Sequence, residues 1–149
     1  MGVASTKKLR IIIIDDDPAI NLLLKTTLTL RGHHVLTFLD PTACPCLVLK
    51  KEICFCPQEF PCADIVISDI VMSDISGIDF FKQQREVGCK TPDVNKALIS
   101  GTAYEEHSDV VEELGCNFFK KPFKVVEIVK WIEECAKRVP EDRILAMLG

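Results

Sequence analysis

The sequence predicts an α/β fold in which helices cover both faces of a parallel sheet, giving a doubly wound, three-layer sandwich. Short apolar runs rich in β-branched residues alternate along the chain with segments whose apolar residues recur at helical spacing. The chain has 149 residues, of which 48% are hydrophobic and 27% are charged, as is usual for one globular domain. Together these observations favour a single α/β domain.

The first half of the chain contains three predicted strands and one clear helix. Residues 9–14 form a continuous run rich in isoleucine, which is typical of a strand buried on both faces. Asp17 and Pro18 mark a helix start, because an acidic cap is followed by proline in the first turn. The helical spacing of leucines then continues to Gly32. The other predicted strands of this half are residues 35–39 and residues 65–68.

The second half continues the same alternation. Gly88 and Gly115 each follow a helical segment, and glycine commonly ends helices because it adopts a left-handed backbone conformation. The predicted elements are a helix over residues 78–87, a strand over 97–100, a helix over 104–114, a strand over 118–120 and a helix over 124–138. Strands and helices in this order predict right-handed crossovers between parallel strands.

These elements divide the chain into three parts. Residues 1–8 are an N-terminal segment, residues 9–138 the folded domain and residues 139–149 a C-terminal tail. The apolar residues of the tail are Ile144, Leu145, Met147 and Leu148. We expect the tail to pack back onto the domain, and we expect no effector domain after it.

Composition excludes several classes of function. A formal net charge of −4 argues against a nucleic-acid-binding surface. No segment approaches the roughly 18 apolar residues that a membrane span requires. Aspartates end the early isoleucine run too soon for a signal peptide. We therefore expect a cytoplasmic protein that binds neither nucleic acid nor membranes.

Polar residues stand where the predicted strands end. In doubly wound sheets, functional groups collect beyond the carboxyl ends of the strands. Those ends carry Asp15, Asp16, Asp69, Ser100, Lys121 and Pro122. Converging carboxylates repel one another unless a cation offsets their charge, and Mg²⁺ prefers oxygen ligands. A lysine and a hydroxyl beside them complete a phosphoryl-transfer site in which one carboxylate is the nucleophile.

The chain also resembles a known family in four segments: IIIIDDDP, DIVISDIVMSDISG, ALISGTA and FFKKPF. Their order and spacing resemble the receiver domain of two-component response regulators, over about residues 8–138. The resemblance implies a (βα)5 flavodoxin-like fold with sheet order 2-1-3-4-5. It is similar in particular to the single-domain receivers of the chemotaxis-regulator type.

The resemblance also implies a role for each acidic residue. Asp69 resembles the aspartate that becomes an acyl phosphate. Asp15 and Asp16 resemble the acidic pair beside it. Together with Asp69 and the backbone carbonyl of Val71, this pair would hold Mg²⁺.

Four further positions match residues of the family that respond to the phosphoryl group. Lys121 resembles the lysine that pairs with the phosphate, and its bond to Pro122 is expected to be cis. Ser100 stands where the family has a phosphate-contacting Thr or Ser. Phe118 stands where the family has an aromatic switch residue.

Two assignments depend on a choice between neighbours. Asp17 competes with Asp15 for the acidic pair, but a carboxylate directly before Pro18 is expected to cap the helix. Lys120 competes with Lys121, but neighbouring strand residues point to opposite faces, and Lys121 is the one directly before Pro122.

As a member of this family, the chain would be a signalling domain and not an enzyme, apart from its own Mg²⁺-dependent phosphorylation and dephosphorylation. Its partners would be a histidine kinase or phosphotransfer protein and a downstream protein target. It would be a monomer or a phosphorylation-dependent dimer.

A cysteine-rich insertion occupies about residues 43–63, with a short helix predicted over 47–53. It holds five of the eight cysteines of the chain: Cys44, Cys46, Cys54, Cys56 and Cys62. These thiols are compatible with a Zn²⁺ site or iron–sulfur cluster, with a disulfide, or with reduced thiols. An alternative function is therefore a pseudo-receiver, or a metal- or redox-responsive binding module, that acts through this insertion.

A second alternative is a phosphatase of the haloacid-dehalogenase type, since Asp15 and Asp17 match its Asp-x-Asp opening. However, Ala19 stands where that class has Thr or Val, and no suitable acidic pair follows a late strand. The three histidines carry no function in either reading. We expect His33, His34 and His107 to face solvent.

Overall fold

The computed structural model describes residues 7–40, 59–72 and 75–147. It contains one five-stranded parallel sheet in the order β2-β1-β3-β4-β5. The strands are β1 (Arg10–Ile14), β2 (His34–Phe38), β3 (Ile65–Asp69), β4 (Lys96–Ser100) and β5 (Asn117–Lys120). The predicted doubly wound fold and its strand order are confirmed.

Four α-helices lie within the described residues: α1 (Pro18–Leu30), α2 (Gly77–Glu86), α3 (Ser108–Leu114) and α4 (Val125–Arg138). Caps fix where they begin. The carboxylate of Asp17 accepts a hydrogen bond from the Ala19 amide at 2.9 Å, and the Ser76 hydroxyl accepts one from the Asp79 amide at 3.0 Å. Each satisfies an amide that has no partner within its own helix. Asp17 therefore has the capping role that its position predicted.

The apolar core is divided by the sheet. Alternate residues of a strand point to opposite faces. In β1, Ile11 and Ile13 join a core cluster that contains α1 and α4 residues. Ile14 belongs to a second cluster, which contains residues of α2 and α3. Every residue of β3 and β4 is buried, because helices cover both faces of these central strands.

The helix predicted over residues 104–114 is shorter than expected. Residues Tyr104–Glu106 form a 3₁₀ turn, and α3 begins only at Ser108. His107 interrupts the helix with φ −127° and ψ 1°. Its ring nitrogen contacts the Thr102 hydroxyl at 2.7 Å, so a local side-chain contact within the loop lies where the first turn of the helix was predicted.

The C-terminal tail packs back onto the domain as far as residue 147. Its contacts are mainly polar, although apolar contacts were expected. Arg143 makes a two-pronged ion pair with Asp64, with distances of 2.6 and 2.9 Å. The buried Ala146 donates its amide to the Pro61 carbonyl at 2.8 Å. Met147, by contrast, is 93% exposed.

Several predictions concern residues that the structure does not describe. Cys44, Cys46, Cys54 and Cys56 lie outside the described residues, as does the helix predicted over 47–53. Cys62 is described: it is partly buried, and its carbonyl accepts a hydrogen bond from Arg10 at 3.0 Å. In the described ranges, no helix has the length and apolar character to cross a membrane.

Candidate functional site

Three carboxylates meet at the carboxyl ends of β1 and β3. One oxygen from each of Asp15, Asp16 and Asp69 lies within 4.8 Å of the other two. Asp15 and Asp69 are buried, while Asp16 is exposed. They meet because parallel neighbouring strands end at the same edge of the sheet, where the apolar sequence of each strand gives way to aspartate.

Asp15 is fixed by the start of α1. Its Oδ1 accepts a hydrogen bond from the Asp17 amide at 2.8 Å. The buried side chain of Asn21 donates to the carbonyls of Asp15 and Phe38, at 2.9 and 3.1 Å. Asn21 therefore joins the loops that follow β1 and β2. Sequence reasoning missed this residue, although an asparagine on the apolar face of a helix was a visible signal.

Lys121 supplies the cation of the site. Its Nζ lies 3.1 Å from Oδ2 of Asp15 and 3.4 Å from Oδ2 of Asp69. The peptide bond between Lys121 and Pro122 is cis. The Lys121 amide donates to the Ser100 carbonyl at 2.6 Å. Lys120 is exposed, and its Nζ contacts the Lys121 carbonyl at 3.1 Å, so it is Lys121 that points at the carboxylates.

Burial and neighbouring charge shift the pKa of two groups. Burial raises the pKa of Asp69 above its usual value, the charge of Asp15 raises it further, and Lys121 opposes both. Burial alone would lower the pKa of Lys121, but its close contact with the Asp15 and Asp69 carboxylates raises it overall. Burial and the charge of Asp15 therefore disfavour the ionised form of Asp69, and the contact with Lys121 offsets only part of this effect.

The donor set fits a hard divalent cation. Counted formally, the three carboxylates and one ammonium sum to a charge of −2. Oδ2 of Asp15 is buried and has no hydrogen-bond partner, although it lies close to the Lys121 ammonium. Oxygen ligands with unsatisfied negative charge are what Mg²⁺ prefers. Val71, whose backbone carbonyl was assigned to the same ion, follows Asp69 by two residues and has a side chain that is 68% exposed.

Ser100 lies at the end of β4 and is fully buried. Its Oγ accepts a hydrogen bond from the Thr102 amide at 3.0 Å and lies 2.8 Å from Oγ1 of Thr102. Oγ1 of Thr102 in turn lies 2.7 Å from Nε2 of His107. The expectation that His107 faces solvent is wrong, since it is partly buried and bonded to Thr102. Sequence reasoning did not identify Thr102 either.

Phe118 is partly buried beside the same group of residues. Its ring centroid lies 5.5 Å from that of Tyr104, in an edge-on arrangement, and 6.1 Å from that of His107. The structure thus places the candidate switch residue next to the histidine that is linked to Ser100.

The other two histidines differ from each other. His34 is exposed, as expected. The expectation that His33 faces solvent is wrong: its Nδ1 accepts a hydrogen bond from the Leu9 amide at 3.2 Å, and burial lowers its pKa. It lies beside residues of α1 and α4 that belong to the first core cluster, at the opposite end of β1 from the carboxylates.

The described residues form a doubly wound domain with three clustered carboxylates and a lysine at the carboxyl ends of its strands, and Asp17 caps α1 beside them. Comparison with known proteins agrees. The profile of the response regulator receiver domain matches residues 11–133. The chain belongs to this family, the receiver domains of two-component signalling systems.

Two curated relatives are similar in sequence. The nisin biosynthesis regulatory protein NisR of Lactococcus lactis is 28% identical over 132 residues, which cover 87% of this chain and 51% of NisR. The regulatory protein AtoC of Escherichia coli is 32% identical over 122 residues, covering 80% of this chain and 23% of AtoC. The chain thus spans about half the length of the first relative and about a quarter of the second.

Solved structures agree on the fold. The receiver domain of the Francisella response regulator 1452 superposes with a TM-score of 0.69 at 21% identity, covering 88% of this chain and 98% of that one. The receiver domain of the putative response regulator NarL from Mycobacterium tuberculosis gives 0.67 at 23% identity, covering 88% and 98%. CheY4 of Vibrio cholerae gives 0.61 at 18% identity, covering 86% and 98%.

Proposed function

We propose that this chain acts as the receiver domain of a response regulator and accepts a phosphoryl group on Asp69. The observation that carries the proposal is the convergence of Lys121 and the acidic residues Asp15 and Asp16 on the Asp69 carboxylate. The donor would be the phosphohistidine of a histidine kinase or phosphotransfer protein. We expect this phosphotransfer to take place in the cytoplasm.

Transfer requires Asp69 to act as the nucleophile. A carboxylate oxygen of Asp69 forms the new P–O bond as the P–N bond of the phosphohistidine breaks, and the bonding electron pair leaves on the imidazole nitrogen. Lys121 balances negative charge on the phosphoryl oxygens. Hydrolysis later returns the carboxylate, when water attacks phosphorus and inorganic phosphate leaves.

Asp15, Asp16, Asp69 and the backbone carbonyl of Val71 are the groups that would hold Mg²⁺. When bound, this ion would offset the combined charge of the carboxylates and the phosphoryl oxygens. Asn21 and the amide of Asp17 hold Asp15 in place for that role.

The response would follow from the new charge on Asp69. Ser100 would move toward the phosphoryl group, and Phe118 would move into the space that this opens. That movement changes the face formed by α3, β5 and α4, which a downstream protein would recognise. Phosphorylation would thus shift a population between two conformations of one domain.

A small phosphodonor tests the proposal without a kinase. Wild type, Asp69→Asn and Asp142→Asn are incubated with acetyl phosphate and Mg²⁺, and intact mass is followed. Asp142 is exposed and far along the chain from the acidic residues, so its substitution is a matched control. We expect one phosphoryl group on wild type and on Asp142→Asn, and none on Asp69→Asn. Equal labelling of Asp69→Asn, or no labelling of wild type, would refute the proposal.

A further inference from the structure

Ser100 is held in a chain of side-chain contacts that leads away from Asp69. Ser100 Oγ lies 2.8 Å from Oγ1 of Thr102, which lies 2.7 Å from Nε2 of His107. The Thr102 amide also donates to Ser100 Oγ, at 3.0 Å. Two atoms of one residue therefore hold the buried hydroxyl.

Two arrangements of hydrogens place the Thr102 hydroxyl hydrogen within this series of contacts. If Nε2 of His107 carries a hydrogen, it donates to Thr102, and Thr102 donates to Ser100. If Nε2 has none, Ser100 donates to Thr102, and Thr102 donates to His107. In the first arrangement Ser100 Oγ accepts from two donors, and in the second its only hydrogen is engaged. In both, Thr102 holds the hydroxyl.

We infer that Thr102 is a positioning residue that holds Ser100 in the resting conformation, and that His107 in turn holds Thr102. This inference rests on the proposed function, in which Ser100 moves to the phosphoryl group on Asp69. That movement must break the contact between the Ser100 and Thr102 hydroxyls. The contacts between Ser100, Thr102 and His107 thereby set the energetic cost of moving Ser100 to the phosphoryl group.

His107 connects the movement of Ser100 to Phe118, the proposed switch residue. Its ring lies 6.1 Å from that of Phe118, centroid to centroid, and it occupies the junction between the 3₁₀ turn and α3. When Ser100 leaves Thr102, the bond from Thr102 to His107 loses the partner that aligns it. The ring beside Phe118 is then free to reorient as Phe118 moves. The Thr102 hydroxyl thus couples the acidic site around Asp69 to the surface that α3 helps to form.

A double-mutant cycle tests the inference. Beryllofluoride, which mimics a phosphoryl group on a carboxylate, is titrated with Mg²⁺ into wild type, Thr102→Val, Ser100→Ala and the double variant. Valine keeps the shape and the backbone amide of Thr102 but removes its hydroxyl. Loss of one hydrogen bond from the resting state is expected to tighten beryllofluoride binding about two- to tenfold. In the Ser100→Ala background, Thr102→Val should have no effect.

Control variants separate the alternatives. Thr29→Val removes a hydroxyl from an exposed position of α1 and should leave affinity unchanged. His107→Phe keeps a ring beside Phe118 but removes Nε2, and should tighten binding by less than Thr102→Val. The inference would be overturned if the effect of Thr102→Val or of His107→Phe persisted in the Ser100→Ala background. It would also be overturned if Thr102→Val weakened beryllofluoride binding.

Failure of the proposed function has a different signature. If wild type binds no beryllofluoride, or Asp69→Asn binds it equally well, Asp69 is not the acceptor. If wild type binds it and Asp69→Asn does not, but the cycle gives no coupling between Ser100 and Thr102, only the positioning role is wrong.

Discussion

Gly77 and Asp69 are in such close contact that a β-carbon at Gly77 would lie 2.2 Å from the Asp69 carbonyl oxygen. Lack of space, rather than a left-handed backbone, requires glycine here, since Gly77 is not among the positive-φ glycines of the described chain. Its amide also donates to the Ile70 carbonyl at 2.9 Å. The first turn of α2 therefore packs directly against the backbone of Asp69.

Gly77→Ala is expected to destabilise the fold and to displace Asp69. Overpacking of this kind costs about 1–3 kcal/mol, and the better helix propensity of alanine offsets at most about 1 kcal/mol of it. Urea unfolding measures the loss, and labelling by acetyl phosphate should fall in parallel. Gly101→Ala is the control, because a β-carbon there meets nothing within 4 Å. Equal stability of the two variants would contradict the steric argument.

Asp69→Asn is expected to stabilise the protein at neutral pH in the absence of Mg²⁺. Because the folded pKa of Asp69 is raised, chiefly by burial, its ionised form is less favourable in the folded state than in the unfolded chain. The benefit of Asn should be absent below the unfolded pKa of 3.8. It should grow as pH rises through the folded pKa and then stay constant.

Urea unfolding of wild type and Asp69→Asn from pH 4 to pH 7 measures this difference. Asp142→Asn, the same substitution at an exposed position, is measured alongside as the control. If Asp69→Asn loses stability relative to wild type as pH rises, the direction assigned to the Asp69 pKa is wrong.

The sequence identified the residues that lie at strand ends. Asp15, Asp69 and Lys121 could be found because alternating strands and helices determine which edge of the sheet carries the candidate site, and each of these residues lies at the end of a strand or directly after it. The strand order followed from the family resemblance. Lys121 could be separated from Lys120 because neighbouring strand residues point to opposite faces and Lys121 is the one that precedes the proline.

Residues that act through side-chain contacts could not be found in this way. Thr102 and His107 lie on a loop and at a helix start, where no periodicity reports what their side chains touch. For the same reason, the sequence pattern did not show that α3 begins only at Ser108. The tail shows a related limit, since its apolar residues were expected to dock, whereas Arg143 and Ala146 make the contacts.

Arg143→Gln is expected to lower the free energy of unfolding by about 1.5–3 kcal/mol, the usual range for a hydrogen bond to a charged group. Asp64 is buried, and its carboxylate bonds Arg143 and the Arg10 amide, the latter at 2.9 Å. Glutamine would leave the carboxylate with the amide as its main donor. The hydrogen bonds to Asp64 also raise the pKa of Arg143, so the guanidinium stays charged at neutral pH.

Lys137→Gln is the control for the Arg143 prediction. Lys137 pairs with Glu134 at 3.0 Å, but both side chains are exposed, and exposed pairs contribute about 0–1 kcal/mol. Urea unfolding should therefore separate the two variants clearly. A loss at Arg143 no larger than that at Lys137 would mean that the tail does not stabilise the domain.

Asn21→Ala is expected to weaken both the fold and Mg²⁺ binding. The Asn21 amide bridges the carbonyls of Asp15 and Phe38 inside the domain. Removing it leaves those buried acceptors with fewer donors, at a cost of about 1–3 kcal/mol. Asp15 would also be held less firmly, so the carboxylates would be less well placed for a shared cation.

Urea unfolding measures the first effect, and Mg²⁺ titration by calorimetry measures the second. Thr26→Ala, on the exposed side of α1, should change neither quantity to the same extent. Lower stability with unchanged Mg²⁺ affinity would show that Asn21 supports the fold without positioning the site.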